Sequence, residues 1–245
     1  MELFYSRDIA QGGRVLDQEE SNHCIRVLRH QQGDTIHIVD GIGSIYECRI
    51  DEASPKAVVF EVLKAEEGFG SHPYHLQMAV APPKNIERFE WFTQKATEIA
   101  VDRITPLIGD YSERKVFKKD RCERIVLSAA KQSHKAAFPV VDEAVSVRVF
   151  LAGPFGEDVT KLICYCDDTA FLNADKITIS EAIDRAPADK YSIMIGPEGD
   201  FSREEMKLAV ENGWQPVSLG SSRLRIETAA LTAVAAVYLK YIDHQ

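Results

Sequence analysis

Two glycine-punctuated loops, Ile195 to Glu205 and Leu219 to Ala229, constrain this chain more than any other feature. Each follows a short apolar run and opens a helical pattern, and they lie about twenty residues apart. Strands ending in such loops deliver them to one edge of a sheet, where open α/β folds bind small ligands. In the first loop, Tyr191 to Ile195 reads as a buried strand, and Gly196-Pro197-Glu198-Gly199 supplies the turn residues that stop it. Ser202 stands three residues before Glu205, the spacing of a capping box. A helix should therefore start there and end at Asn212-Gly213, where glycine supplies the left-handed cap. In the second loop, Pro216 to Leu219 reads as a brief strand. Gly220-Ser221-Ser222 then lets the backbone approach a flat heterocycle without side-chain obstruction.

Thr228 to Tyr241 is rich in Ala and Leu and reads as a core helix, with Leu231, Val234, Ala235, Tyr238 and Ile242 on its packed face. Arg225 and Glu227 alternate with Leu224 and Ile226 just ahead of it. Charges so close to a core helix are paired or functional, so a structural ion pair competes with a catalytic role. Either loop by itself would be an ordinary strand-turn-helix connection.

The remaining pattern divides the chain in two. Thr35 to Val39, Ile45 to Ile50 and Ala57 to Leu63 are short β-branched runs separated by turn residues, as in a small barrel or sandwich. The polar stretch Lys64 to Pro73 reads as the boundary, giving domains at 1–70 and 73–245. Beyond it, Leu76 to Val80 and Ile104 to Ile108 read as strands, and Asn85 to Ala100 and Lys118 to Lys135 as helices, the alternation of a largely parallel α/β sheet. At 45% hydrophobic and 27% charged, the composition excludes a disordered or fibrous chain. No apolar run reaches the roughly twenty residues that span a bilayer, and Met1 to Ala10 carries charges where a signal peptide has an apolar core, so a cytoplasmic location is expected. The five cysteines are odd in number and form no C-x-x-C pair, so neither a disulfide framework nor a metal site is expected. Strand alternation puts Cys164 and Cys166 on one buried face.

The GPEG-D-F-S loop and the L-G-x-x-x-L-R-x-E-T-A segment resemble the knotted cofactor site of the SPOUT methyltransferases, and within them the RsmE family. The resemblance extends to Gln94 to Val101, Arg103 to Pro106, Ala129 to Ser133 with Pro139, and, near the N-terminus, His23, Val27 to Arg29, Gly33-Asp34 and Asp40-Gly41. It implies an α/β fold with a trefoil knot and a PUA-like N-terminal β-barrel, and a homodimer that methylates N3 of a uridine in 16S ribosomal RNA of the small ribosomal subunit, with S-adenosylmethionine as methyl donor. It assigns cofactor contacts in the first loop to Ile195, Gly196, Pro197, Glu198 and Gly199. In the second it assigns them to Leu219, Gly220, Ser221, Ser222, Leu224 and Ala229. A third loop, Cys164 to Asp168, contributes Tyr165. Two positions depart from the family pattern: Asp200 stands where the family has glycine, and Ser222 where it has arginine, with Arg223 one residue later. Arg225 and Glu227 are the catalytic candidates, Glu227 being one of three nearby carboxylates with Glu198 and Asp200.

The net charge of -9 opposes nucleic-acid binding overall, and residues 1–70 hold seven basic against thirteen acidic side chains. Between Arg114 and Lys135, however, eight basic residues face only Asp120 and Glu123. Arg114, Lys118, Lys119, Arg124 and Lys131 on this strip, with Arg26 and Arg29 in the N-terminal domain, are the candidate RNA contacts. A noncatalytic RNA-binding protein and a nucleotide-binding enzyme remain as alternatives, the latter without the G-x-x-x-x-G-K-[ST] phosphate loop.

Overall fold

The computed structural model describes residues 1–167, 172 and 174–244, with the side chain of the last of these left aside. Asp168, in the expected third loop, lies outside the described residues. The chain forms two compact units, residues 1–71 with 127–138, and residues 72–126 with 139–245.

The first unit is a four-stranded sheet of β1 (Leu3–Tyr5), β2 (Thr35–Val39), β3 (Ser44–Glu52) and β4 (Val59–Glu67), in that order. β1 runs parallel to β2, and the other pairs are antiparallel. Alternation sends Ile36, Ile38, Cys48, Ile50 and Phe60 inward, where they pack with Phe4, Leu16 and Cys24, the last from the helical segment that follows α1 (Gln18–Asn22). The units divide between Ser71 and His72, within the polar stretch Lys64 to Pro73, but the first residues of that stretch are still strand. β4 continues through Glu67 because Lys64, Ala65, Glu66 and Glu67 pair with Ser44 to Glu47, and backbone pairing tolerates their exposed charges. Residues 127–138 join this unit although they fall within the second domain by sequence. Ala136 is buried against Leu3, Val39 and Ile45, and Ala137 bridges to Gly41 and Ile42.

The second unit is a parallel sheet built from β5 (His75–Val80), β6 (Arg103–Ile108), β7 (Val140–Val141), β8 (Val145–Ser146), β9 (Thr160–Cys164), β10 (Ile177–Thr178), β11 (Lys190–Ile195) and β12 (Gln215–Ser218). Its order is β10-β12-β9-β11-β5-β6-β7, with β8 alongside β6. Helices α2 (Ile86–Ile99), α3 (Lys119–Gln132, shared between the units), α4 (Val147–Leu151), α5 (Ile179–Asp184), α6 (Arg203–Glu211) and α7 (Ile226–Lys240) connect the strands. The helix boundaries follow local signals. Asn85 caps α2 by accepting from the Glu87 amide, and Ser202 and Glu205 close a reciprocal capping box at α6. Ser202 also donates to Asp110 at 2.6 Å. Its replacement by Ala is expected to cost about 1–2 kcal/mol and to lower Tm by roughly 2–8 °C, which a thermal melt checks.

The core helix α7 is rotated from its expected face. The fully buried stripe is Ile226, Ala230, Ala233, Val234 and Val237, while Leu231, Ala235 and Tyr238 are half-buried and Ile242 is exposed. The helix is apolar nearly all round, so periodicity could not choose the side that packs on the sheet.

Candidate active site

Register brings the loops together. β9 lies between β11 and β12, with Ile195 opposite Cys164 and Cys164 opposite Val217. The three strands therefore end level, and the chains that leave them at Tyr165, Gly196 and Ser218 emerge at one edge of the sheet. Together with Pro83, Arg88 of α2 and the start of α7, they wall a cleft of about 590 Å³. That volume lies within the roughly 300–1,000 Å³ of small-molecule sites.

Of the expected cofactor residues, Ile195, Gly196, Pro197 and Glu198 line the cleft from the first loop. Leu219, Gly220, Ser221, Ser222 and Leu224 line it from the second, and Ala229 and Tyr165 complete the set. Arg225 and Glu227 line it as well, Arg225 as the N-cap residue of α7 and Glu227 in that helix's first turn. Gly199 does not. Its α-carbon faces Tyr111, against whose Cβ an added methyl would sit at 3.0 Å. Gly196 is needed for packing: a Cβ there would stand 3.0 Å from the ring of buried Phe201.

The carboxylates separate into distinct roles. Glu198 Oε1 accepts the Lys84 amide at 2.9 Å and so ties its loop to the chain after β5. Asp200 adopts φ of +64°, a left-handed conformation that glycine takes freely. Its carboxylate accepts amides from Phe201 and Cys166, each at 2.9 Å. Burial pushes its carboxyl above the ordinary range, against the pull of those two amides. Glu227 is 11% exposed, and its Oε1 lies 3.8 Å from Arg88 Nε. Its Oε2 is buried with no hydrogen-bond partner.

Arg88 lines the cleft without having been expected there, and Cys166, Asp167 and Arg223 line it from the expected loops without having been assigned contacts. Arg88 follows the cap of α2 by three residues, and only the strand order, which puts β5 beside β11, brings it to the loops. Cys166 is exposed, whereas the alternation rule had buried it with Cys164. β9 ends at Cys164, so period-two alternation stops before Cys166. The other four cysteines are buried and all five are free. Among the described residues, no cluster of His, Cys, Asp or Glu is arranged to hold a metal ion, and no helix is long and apolar enough to cross a membrane.

The basic strip is more committed internally than its composition implied. Arg114 donates to the Pro83 and Lys84 carbonyls at 3.2 and 2.7 Å, holding the cleft wall near Pro83. Arg124 donates to the Asp120 carbonyl, and Lys119 pairs with Glu123 at 3.3 Å. Lys131 is turned inward onto buried Glu20 at 2.6 Å, so it is part of the first unit's interior and not of an outward strip. Lys118, Arg26 and Arg29 are exposed.

Comparison with known proteins bears on what such a cleft is for. Residues 70–238 match the model of a family described as an RNA methyltransferase domain, and residues 16–63 match that of an RNA methyltransferase PUA domain. Over 226 residues the chain is 30% identical to Ribosomal RNA small subunit methyltransferase E of Synechocystis, covering 91% of this chain and 72% of that protein. This chain belongs to the RsmE family of RNA methyltransferases. A probable rRNA-methyltransferase from Porphyromonas gingivalis superposes on this family member with a TM-score of 0.90, at 36% identity and with both chains fully covered. The Ribosomal RNA small subunit methyltransferase E of Neisseria gonorrhoeae, crystallised bound to S-adenosyl methionine, gives 0.82 at 27% identity over 98% of each chain. The second unit of this RsmE-family chain thus carries the methyltransferase match, and its cleft residues all lie within it.

Proposed function

We propose that the protein methylates N3 of a uridine in the 16S RNA of the small ribosomal subunit, using S-adenosylmethionine bound in the three-loop cleft. The observation that carries this reading is the convergence of three level strand ends on a cleft whose one buried, unpartnered carboxylate oxygen among the described residues belongs to Glu227. The residues fit such a cofactor. The cleft has the volume, nothing lies within 4 Å of where a Cβ on Gly220 would be, and Glu227 Oε2 is short of a donor.

When bound, S-adenosylmethionine supplies a methyl group on a sulfonium whose departure leaves a neutral thioether. The protein then has two tasks, to hold the uracil nitrogen in line and to take its proton. Glu198 and Asp200 are engaged by backbone amides, which leaves Glu227 as the proton acceptor. Arg88, 3.8 Å away, holds that carboxylate in place in the first turn of α7. Arg225, at the cleft, stabilises negative charge that develops on the base. Incubation with unmodified small subunits and labelled cofactor, followed by nucleoside analysis, tests this reading: N3-methyluridine is expected, and methyl on another nucleoside would overturn the positional assignment.

The first unit is read as a PUA-like barrel that contacts the RNA, with Arg26 and Arg29 as its basic groups, and the second loop as the segment threaded through a trefoil knot. The protein is read as a cytoplasmic homodimer. Light scattering in solution checks the dimer. Exposed Lys118, with Lys119, supplies the phosphate contacts on the other unit. Changing both to Glu should weaken RNA binding and flatten the log-affinity against log-salt slope by roughly 2, with cofactor affinity unchanged, as filter binding at several salt concentrations would show.

A further inference from the structure

At position 200 the backbone takes the left-handed conformation that suits glycine while carrying an aspartate. A non-glycine residue in that region is strained unless something offsets it. The carboxylate does so in a particular way. Oδ1 takes the amide of Phe201 beside it, and Oδ2 reaches across to the amide of Cys166, in the loop after β9. That amide is the first after the strand to lack a sheet acceptor, since Tyr165 still donates to the Val217 carbonyl at 3.2 Å whereas Cys166 does not continue the ladder. Asp200 thus extends the cross-linking of strand ends one residue beyond the sheet. The turn that presents it is closed by its own amide, bonded to the Pro197 carbonyl at 2.9 Å. On the far side, Lys176 donates to the Cys166 and Asp167 carbonyls at 3.3 and 2.7 Å, so the short loop is held from both directions.

We propose that Asp200 is a positioning residue, a clasp that fixes Tyr165 to Asp167 as a preformed wall of the cofactor cleft. This rests on the cofactor reading given above. A wall already ordered need not lose conformational freedom when the ligand arrives, and that difference appears as affinity. Burial of the carboxylate and the raised pKa it causes agree with a group enclosed between two loops.

Two variants and two measurements test the clasp. Asp200→Gly removes both acceptors and at the same time relieves the left-handed backbone, so it should fold with a melting temperature close to that of the parent. Asp200→Asn keeps one acceptor oxygen and replaces the other by a donor. In the cofactor-free protein, hydrogen exchange of the Cys166 amide should accelerate at least about tenfold in the glycine variant, and less in the asparagine variant. Calorimetry with S-adenosylhomocysteine should show affinity weakened roughly tenfold, as expected for an ordering cost of that size. In turnover the loss should fall on KM for the cofactor, with kcat within about twofold. Unchanged Cys166 exchange, or unchanged affinity in the glycine variant, overturns the clasp. If the parent protein binds no S-adenosylhomocysteine, it is the cofactor reading that fails, and the exchange measurement alone then decides whether Asp200 holds the loop.

Discussion

The Glu227→Gln protein is expected to transfer methyl groups roughly 10²–10⁴-fold more slowly than the parent, the range over which a positioned general base acts. Its affinity for S-adenosylhomocysteine should stay within a few-fold, because glutamine has the same shape. Three carboxylates stand at or beside the cleft, Glu198, Asp200 and Glu227. Both oxygens of Asp200 accept amides, those of Cys166 and Phe201, so protonating it would break a loop contact, and Glu198, exposed to solvent, is tied through Oε1 to the Lys84 amide. Glu227 alone of the three keeps a buried oxygen that no protein group satisfies. A buried acceptor left in that state costs about 1–3 kcal/mol, a penalty that a donor on the bound substrate removes. Single-turnover methylation of small subunits measures the step directly. Glu198→Gln serves as the contrast: it should disturb loop order and cofactor KM more than the rate at saturation. A Glu227→Gln protein with parental single-turnover rate would transfer the proton's destination to another group and sink the assignment. Arg88→Met should lie between the two, since it removes the cation 3.8 Å from Glu227 Oε1 and leaves the carboxylate itself.

What could be read from the sequence was local chemistry. The Ser202/Glu205 capping box, the stop at Gly196 and the start of α2 at Asn85 depend on residues a few positions apart, and each stands where its spacing placed it. The site was legible to the extent that it lies on two loops leaving level strands. Arg88 was not, because nothing in α2 signals that β5 will pair with β11, over a hundred residues later. Lys131 looked like one more cation on a basic helix, and its partner Glu20 is 111 positions away. The face of α7 failed for a different reason: a helix apolar on every side carries no phase, and packing against the sheet chose one. Asp200 shows a third kind of limit. Its identity was noticed as a departure from a glycine pattern, but only the backbone angle shows why glycine suits the position and only the hydrogen bonds show what the aspartate does instead.

Gly220→Val should lower affinity for S-adenosylhomocysteine by roughly 10–100-fold, corresponding to backbone strain of about 1–3 kcal/mol. From sequence, the expected cause is bulk, a side chain standing where the ligand approaches. The structure supplies a second cause. Gly220 has φ of +104°, outside the region open to residues with a Cβ, and an added Cβ meets nothing within 4 Å. The strain can be carried in place, which would lower stability, or released by moving the loop, which would lower affinity. The loop is held locally by the mutual bonds of Ser218 Oγ with the Gly220 amide and carbonyl, at 3.1 and 3.2 Å, with Gly220 exposed and Ser218 half-buried. Those contacts are too few to hold a strained backbone against solvent, so release by movement prevails and Tm should change little. Gly220→Ala separates the two causes. If φ is responsible, alanine loses nearly as much affinity as valine, because both carry a Cβ. If bulk in the cleft is responsible, alanine binds almost as the parent does and only valine is impaired.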